Sequence, residues 1–91
     1  MTLEEAISDV ITNNFSAGDL FDSHAVINEL IKDKEKHLVY MQSFGNRGSL
    51  ENYHSIISKK IEESRLCERV GDIKTHTIYG KLSPNALWKR V

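Results

Sequence analysis

The candidates for chemistry in this chain are polar side chains at helical spacing in its second half. They are Arg47, Ser49, Asn52, Ser55 and Lys59. Hydroxyl, amide and cationic groups hydrogen-bond to the phosphate oxygens of nucleic acids, and the free amides of a helix N-terminus attract the same anions. Asparagine can also pair with adenine and lysine with guanine in the major groove, whereas serine is less selective. The pattern predicts a DNA-facing helix surface.

The same row of side chains has a simpler interpretation. At about 100° per residue, Asn52, Ser55 and Lys59 share one face of a helix. Carboxylates lie on or beside that face, at Glu51, Glu62 and Glu63. A mixture of cations and carboxylates is typical of an ordinary solvent-exposed helix, so both interpretations stay open.

A second group of basic side chains lies nearer the C-terminus. It contains Arg69, Lys74, His76 and Lys81. Because successive strand residues point to opposite faces, Lys74 and His76 would lie side by side and suit a phosphate backbone. An exposed hairpin that carries lysine to discourage edge pairing would show the same pattern.

The charge of the chain is divided unevenly. Residues 1–45 carry three Lys or Arg and eight Asp or Glu, whereas residues 46–91 carry nine and five. The net charge of −1 argues against a histone-like polycation. A DNA-binding module needs only one basic face, although small domains also divide their charge by chance.

Catalytic and metal-binding functions have no support in the sequence. The four histidines are scattered, at His24, His37, His54 and His76. None is followed by a second His or Cys ligand at the spacing of a zinc site, and Cys67 is expected to be a small buried side chain. We predict that the chain is not an enzyme and needs no metal or cofactor, with no small-molecule substrate evident.

The single cysteine and the short apolar runs bear on location. One cysteine cannot form an internal disulfide, which fits a reducing compartment. The longest apolar runs, such as residues 38–41, are too short to span a bilayer, and the acidic N-terminus does not resemble a secretory signal. We predict a cytoplasmic protein without a membrane partner.

Helical periodicity dominates the first two thirds of the chain. The first helix is predicted over residues 3–13 or 3–14, with Thr2 and Glu5 spaced as a capping box. Asp22 or Ser23 caps the next. Residues 24–43 form either one long helix or two shorter helices that meet near residues 34–36.

The third main helix and the strands follow. Ser49 is a suitable N-cap for a helix over residues 50–65. Strands over residues 66–70 and 73–79 are predicted to pair across a turn at Gly71 and Asp72. A last strand over residues 86–90 follows a turn at Ser83, Pro84 and Asn85.

Three features complete the predicted elements. Residues 15–21 form a connector that could contribute a brief strand. Trp88 is assigned to the core rather than to a base-stacking platform, and Tyr53 is assigned to the core because it shares an apolar stripe with Leu50 and Ile57.

In this order of elements the chain resembles a winged helix-turn-helix domain. The resemblance implies one α+β domain over residues 1–91, with three or four helices followed by a C-terminal β-hairpin or small antiparallel sheet. In that family the third helix enters the major groove and the hairpin wing touches the adjacent backbone. By position, the wing lies between Val70 and Ala86. The segment at 34–44 makes the link before the third helix longer than the link in a tight helix-turn-helix.

Two functions follow as hypotheses. The first is a duplex DNA-binding module, a small transcriptional regulator, that uses the third helix and the wing. The second is a winged-helix protein-interaction module without DNA binding, with a homodimer surface formed by Leu38, Met41 and Phe44. The alternative for the apolar segment 38–44 is that it completes the core.

Overall fold

A computed structural model describes residues 1–45 and 48–91 of the chain. The elements are α1 (Leu3–Asn14), β1 (Leu20–Asp22), α2 (Ser23–Lys32), α3 (Lys34–Phe44), α4 (Leu50–Glu63), β2 (Cys67–His76) and β3 (Leu82–Arg90). The predicted α+β fold, with helices followed by a small C-terminal antiparallel sheet, is confirmed. The predicted brief strand in the connector is β1, at the end of that segment.

Side-chain caps fix where the helices begin and end. Thr2 and Glu5 form the predicted capping box, with the Thr2 hydroxyl accepting from the Glu5 amide and the Glu5 carboxylate accepting from the Thr2 amide. Asp33 ends α2 and begins α3, since its extended backbone donates to the Glu29 carbonyl and its carboxylate accepts from the Lys36 amide at 2.9 Å. The alternative with two helices is therefore correct, and the break lies one residue before the predicted segment.

The three-stranded sheet has the order β1-β3-β2, and all pairs are antiparallel. The predicted turn at Gly71 and Asp72 is wrong, because β2 continues through both residues to pair His76 with Leu82. A register shift between Arg69 and Gly71 leaves Val70 as the extra, unpaired residue of a β-bulge, and Gly71 itself pairs with Leu87. The chain instead reverses at residues 77–81, where Gly80 has a φ of 78°.

The predicted turn at Ser83, Pro84 and Asn85 is also wrong. These residues belong to β3 and pair with β2 at Thr75, Lys74 and Ile73 respectively. β1 reaches only the stretch of β3 from Leu87 to Lys89. The proline therefore lies where β3 has one neighbouring strand, and a strand tolerates the missing N–H at such a position.

One apolar cluster joins the helices to the sheet. Its largest fully buried side chains include Trp88 and Tyr53, as predicted. The Trp88 indole N–H donates to the Ser23 hydroxyl at 2.9 Å, and the Tyr53 hydroxyl donates to the Tyr40 carbonyl at 2.6 Å. Both polar atoms are thus satisfied inside the core.

Helix α3 both completes the core and leaves an apolar surface. Val39 and Tyr40 are buried, and Phe44 packs partly against the core. Leu38 and Met41 are each 59% exposed. The interpretation that this segment completes the core is therefore correct for part of it, and Leu38 and Met41 stay outside the core.

Candidate nucleic-acid interface

Helix α4 presents the predicted polar row to solvent. Its buried stripe of Tyr53, Ile57 and Ile61 faces the core, so helical geometry turns the opposite side outward. Asn52, Ser55, Lys59 and Glu62 are all exposed. The Ser49 hydroxyl accepts from the Asn52 amide at 3.1 Å and so caps the helix. Arg47, which was predicted to lie beside this cap, is outside the described residues.

The polar row is less uniform chemically than the sequence indicates. The Ser55 hydroxyl donates to the Glu51 carbonyl at 3.1 Å, so its oxygen is left as an acceptor. Lys60 is held by Glu4 of α1 at 2.5 Å. In the part of the chain that the structure describes, Lys59 is in no such ion pair, which makes it the cation on α4 available to a ligand.

Carboxylates surround that cation. Glu51, Glu62 and Glu63 are exposed on α4. Glu62 lines a cleft of about 390 Å³ together with Lys59 and with Arg69 of β2. Carboxylates and phosphates are both negatively charged and repel each other, so these carboxylates weaken the attraction of Lys59 for a phosphate.

Residues 77–81, which join β2 to β3, are called the hairpin loop. This loop and the first turn of α4 line one groove of about 430 Å³. Ser49 and Glu51 stand on the helix side, and Thr77 and Lys81 on the loop side. The structure thus brings together Ser49 and Lys81, which the sequence placed in separate groups. The surface of this groove is mostly apolar, and Leu50 and Tyr79 also line it.

The other basic residues of the tail are farther along the hairpin. Lys74 and His76 are exposed and lie opposite Pro84 and Leu82. Arg69 forms an exposed ion pair with Asp72, three residues away on the same strand. The positive charge of Arg69 is therefore partly neutralised by Asp72.

A polar network that the sequence did not predict holds the hairpin against the start of α2. The Thr75 hydroxyl donates to the Asp22 carboxylate at 2.6 Å. Because that proton is committed, His24 Nδ1 must be the donor in its 2.8 Å bond to the Thr75 oxygen. The Asn85 amide donates to the same oxygen at 3.0 Å and accepts from the His24 backbone at 3.0 Å. Asp22 is one of the two predicted caps of α2 and accepts from the nearby Ala25 amide at 2.8 Å, whereas its contact with Thr75 spans 53 residues.

A second pair of side chains that the sequence did not predict lies at the groove, with His54 in its lining. The Tyr40 hydroxyl and His54 Nε2 are 2.7 Å apart. Burial raises the pKa of Tyr40 to about 12, with nearby Tyr53 and Tyr79 adding to the effect. Burial, and secondarily the charge of His24, lowers the pKa of His54. The phenol is therefore the donor, and the neutral His54 carries its proton on Nδ1.

Three further properties of the described residues concern metal binding, the reactivity of the thiol and the crossing of a membrane. Within residues 1–45 and 48–91, no three His, Cys, Asp or Glu side chains converge enough to hold a metal ion. Burial raises the pKa of the Cys67 thiol to about 11, which suppresses the nucleophilic thiolate. No helix in these two ranges combines the length and the apolar character needed to cross a membrane.

The chain was compared with protein-family models, curated proteins and solved structures, and none of them matches it.

Proposed function

We propose that this chain is a winged-helix DNA-binding module, a small transcriptional regulator, in which α4 and the hairpin loop grip duplex DNA together. The observation that carries the proposal is the groove shared by the first turn of α4 and the hairpin loop, with Ser49 on one side and Lys81 on the other. The exposed row of Asn52, Ser55 and Lys59 extends from that groove along the helix.

The physical case rests on phosphate contacts. Lys59, Lys74 and Lys81 are exposed, and the first-turn amides of α4 add partial positive charge at the groove. Such contacts supply most of the affinity of a DNA-binding protein and position it on the duplex. Asn52 is the residue of the row best suited to a base edge, through a pair of hydrogen bonds to adenine.

The carboxylates of α4 set the expected strength. Glu51 and Glu62 stand beside the groups that would meet phosphate, so the affinity at low salt should be modest and should fall as salt rises. A cytoplasmic location is part of the proposal and rests on the single cysteine.

The test compares two charge-removing variants by fluorescence anisotropy with a mixed-sequence duplex. Lys59→Ala should weaken binding several-fold and reduce the salt slope by about one unit, because it removes one phosphate contact. Lys32→Ala is the matched control, since that side chain is 72% exposed on α2 and its ion pair with Glu29 is worth little. Equal affinities for the two variants would remove α4 from the interface.

A second candidate function is a protein-interaction role through α3. The observation that favours it is an apolar surface with Leu38 and Met41 each 59% exposed, beside a cavity of about 400 Å³ that Met41 and Phe44 line. A homodimer formed by Leu38, Met41 and Phe44 would cover it. Sedimentation equilibrium of Leu38→Gln and Met41→Gln tests this candidate, and a wild-type protein that stays monomeric at high concentration would exclude self-association.

A further inference from the structure

Strand β2 is a long edge strand. It spans ten residues at one side of the sheet and pairs only with β3 among the described elements. All of its residues except Cys67 and Thr75 are exposed. A strand of this kind presents a row of backbone N–H and C=O groups to any chain that can extend the sheet.

The positions of two residues show which backbone groups face outward. Ile73 lies opposite Asn85, and the Ile73 carbonyl accepts from the Asn85 side-chain amide at 3.2 Å. That carbonyl therefore faces β3. Since alternate residues of a strand point their backbone groups to opposite sides, Asp72 and Lys74 direct theirs to the open edge.

Backbone geometry limits how this edge can pair with a copy of itself. In an antiparallel pair, two opposite residues either both turn their N–H and C=O groups toward each other or both turn them away. Each residue whose backbone groups face the open edge must then lie opposite another such residue, and these residues are an even number of positions apart. In a symmetric pair of identical strands, the centre therefore falls on one residue, which lies opposite its own copy. If Asp72 is the central residue, the carboxylates of the two copies lie opposite each other. If Lys74 is the central residue, the two ammonium groups lie opposite each other. Centring on Ile73 places Asp72 opposite Lys74 at both ends.

We propose that β2 pairs with β2 of a second copy of this chain, antiparallel and centred on Ile73. Charge complementarity selects this partner and this register, because each Asp72, which holds Arg69 within its own chain, also lies opposite Lys74 of the second copy. Opposite charges at directly opposed positions stabilise a sheet, and like charges destabilise it. Ile73, 40% exposed in the single chain, contacts its own copy on the other face of the extended sheet.

The β-bulge limits the number of β2 residues that can pair with β2 of the second copy. Because the register shifts between Arg69 and Gly71, regular alternation holds only from Gly71 onward, and Thr75 is the residue opposite Gly71 in this register. The interface is thus a short ladder with about four backbone hydrogen bonds, two at each opposed Asp72 and Lys74. Its small size predicts a reversible dimer.

This edge shares one residue, Lys74, with the proposed phosphate contacts and is otherwise separate from the surfaces already described. It uses neither the outward row of α4 nor the exposed residues of α3. Lys59→Ala, which should weaken DNA binding, would therefore leave the dimer intact, and Asp72→Lys, which should weaken the dimer, would leave the proposed phosphate contacts of one copy in place. The two proposals can fail independently.

Charge reversal tests the register directly, by sedimentation equilibrium over a series extending into the millimolar range. Asp72→Lys alone and Lys74→Asp alone should each weaken dimerisation at least about tenfold, since each opposes like charges twice. Mixing the two single variants should restore association as a heterodimer, because every opposed pair is then complementary. Circular dichroism confirms that each variant is folded.

A cross-linking experiment tests the centre of symmetry. Ile73→Cys should form an intermolecular disulfide under mild oxidation, because its side chain lies opposite its own copy within disulfide reach. Lys74→Cys is the control and should cross-link far more slowly, since it lies opposite Asp72. The buried Cys67, with its pKa raised to about 11, adds little background.

The results of the charge-reversal and cross-linking experiments together support or overturn the proposed pairing. Weakening by both reversals, restoration on mixing and selective cross-linking at position 73 support the pairing. A wild-type monomer throughout the series overturns it. So does a dimer that the reversals leave unchanged, and if that dimer is instead lost in Leu38→Gln, the α3 surface holds it together.

Discussion

Replacing Thr75 by valine should loosen the hairpin from the helices. The hydroxyl makes three hydrogen bonds, donating to Asp22 and accepting from His24 and Asn85. Valine has nearly the same shape and is also β-branched, so the change removes these bonds with little effect on strand propensity.

The magnitude follows from the partners. Each bond between neutral groups contributes about 1 kcal/mol, and the bond to the Asp22 carboxylate about 1.5–3 kcal/mol. The site is only half-buried, so water replaces part of what is lost. We expect Thr75→Val to lower the free energy of unfolding by about 2–3 kcal/mol.

Urea denaturation monitored by circular dichroism and Trp88 fluorescence measures this loss. Thr12→Val, at an exposed position of α1, is the matched control and should change stability by less than about 0.5 kcal/mol. A Thr75→Val protein as stable as the control would refute the network as a structural tie. It would also mean that the hairpin is positioned by apolar packing alone.

Two further predictions concern pH and charge. The pKa of His54 is lower in the folded chain than its unfolded value of about 6.5, so the unfolded state binds the extra proton. The free energy of unfolding should therefore decrease as pH falls below about 6.5 toward the folded pKa, and urea titrations of His54→Gln should show a flatter profile. Glu51→Gln and Glu62→Gln should each raise duplex affinity several-fold in low-salt anisotropy, because each removes a carboxylate beside the proposed phosphate contacts. A decrease in affinity in both glutamine variants would argue that α4 meets a basic protein surface.

The features that sequence predicted correctly are those encoded locally. The capping box at Thr2 and the apolar stripe of α4 depend on residues three or four positions apart, so periodicity was sufficient. The break at Asp33 was anticipated as one of two alternatives, because a polar stretch with a resumed apolar pattern fits both a continuous helix and two helices.

Glycine was the main source of error in the sheet. Gly71 followed by Asp72 suits a hairpin turn and also a β-bulge, and only pairing with β3 distinguishes the two. Pro84 similarly suggests a turn but is tolerated where β3 has a single neighbour. The choice in both cases depends on a strand elsewhere in the chain.

The tertiary polar contacts could not have been predicted from one sequence. His24 and Thr75 are 51 residues apart, and Tyr40 and His54 are 14 apart. No periodic pattern links residues across such separations. The groove between α4 and the hairpin loop has the same origin, because the position of the loop depends on these contacts.

The central claim is that the groove and the polar row of α4 form a phosphate-binding face. Its most direct test is a fluorescence anisotropy titration of the folded wild-type chain with mixed-sequence duplex DNA, at low and at near-physiological salt. We predict micromolar binding at low salt that weakens steeply as salt rises, as release of counterions requires. A folded protein that does not bind duplex DNA at low salt would contradict the claim and favour the protein-interaction role.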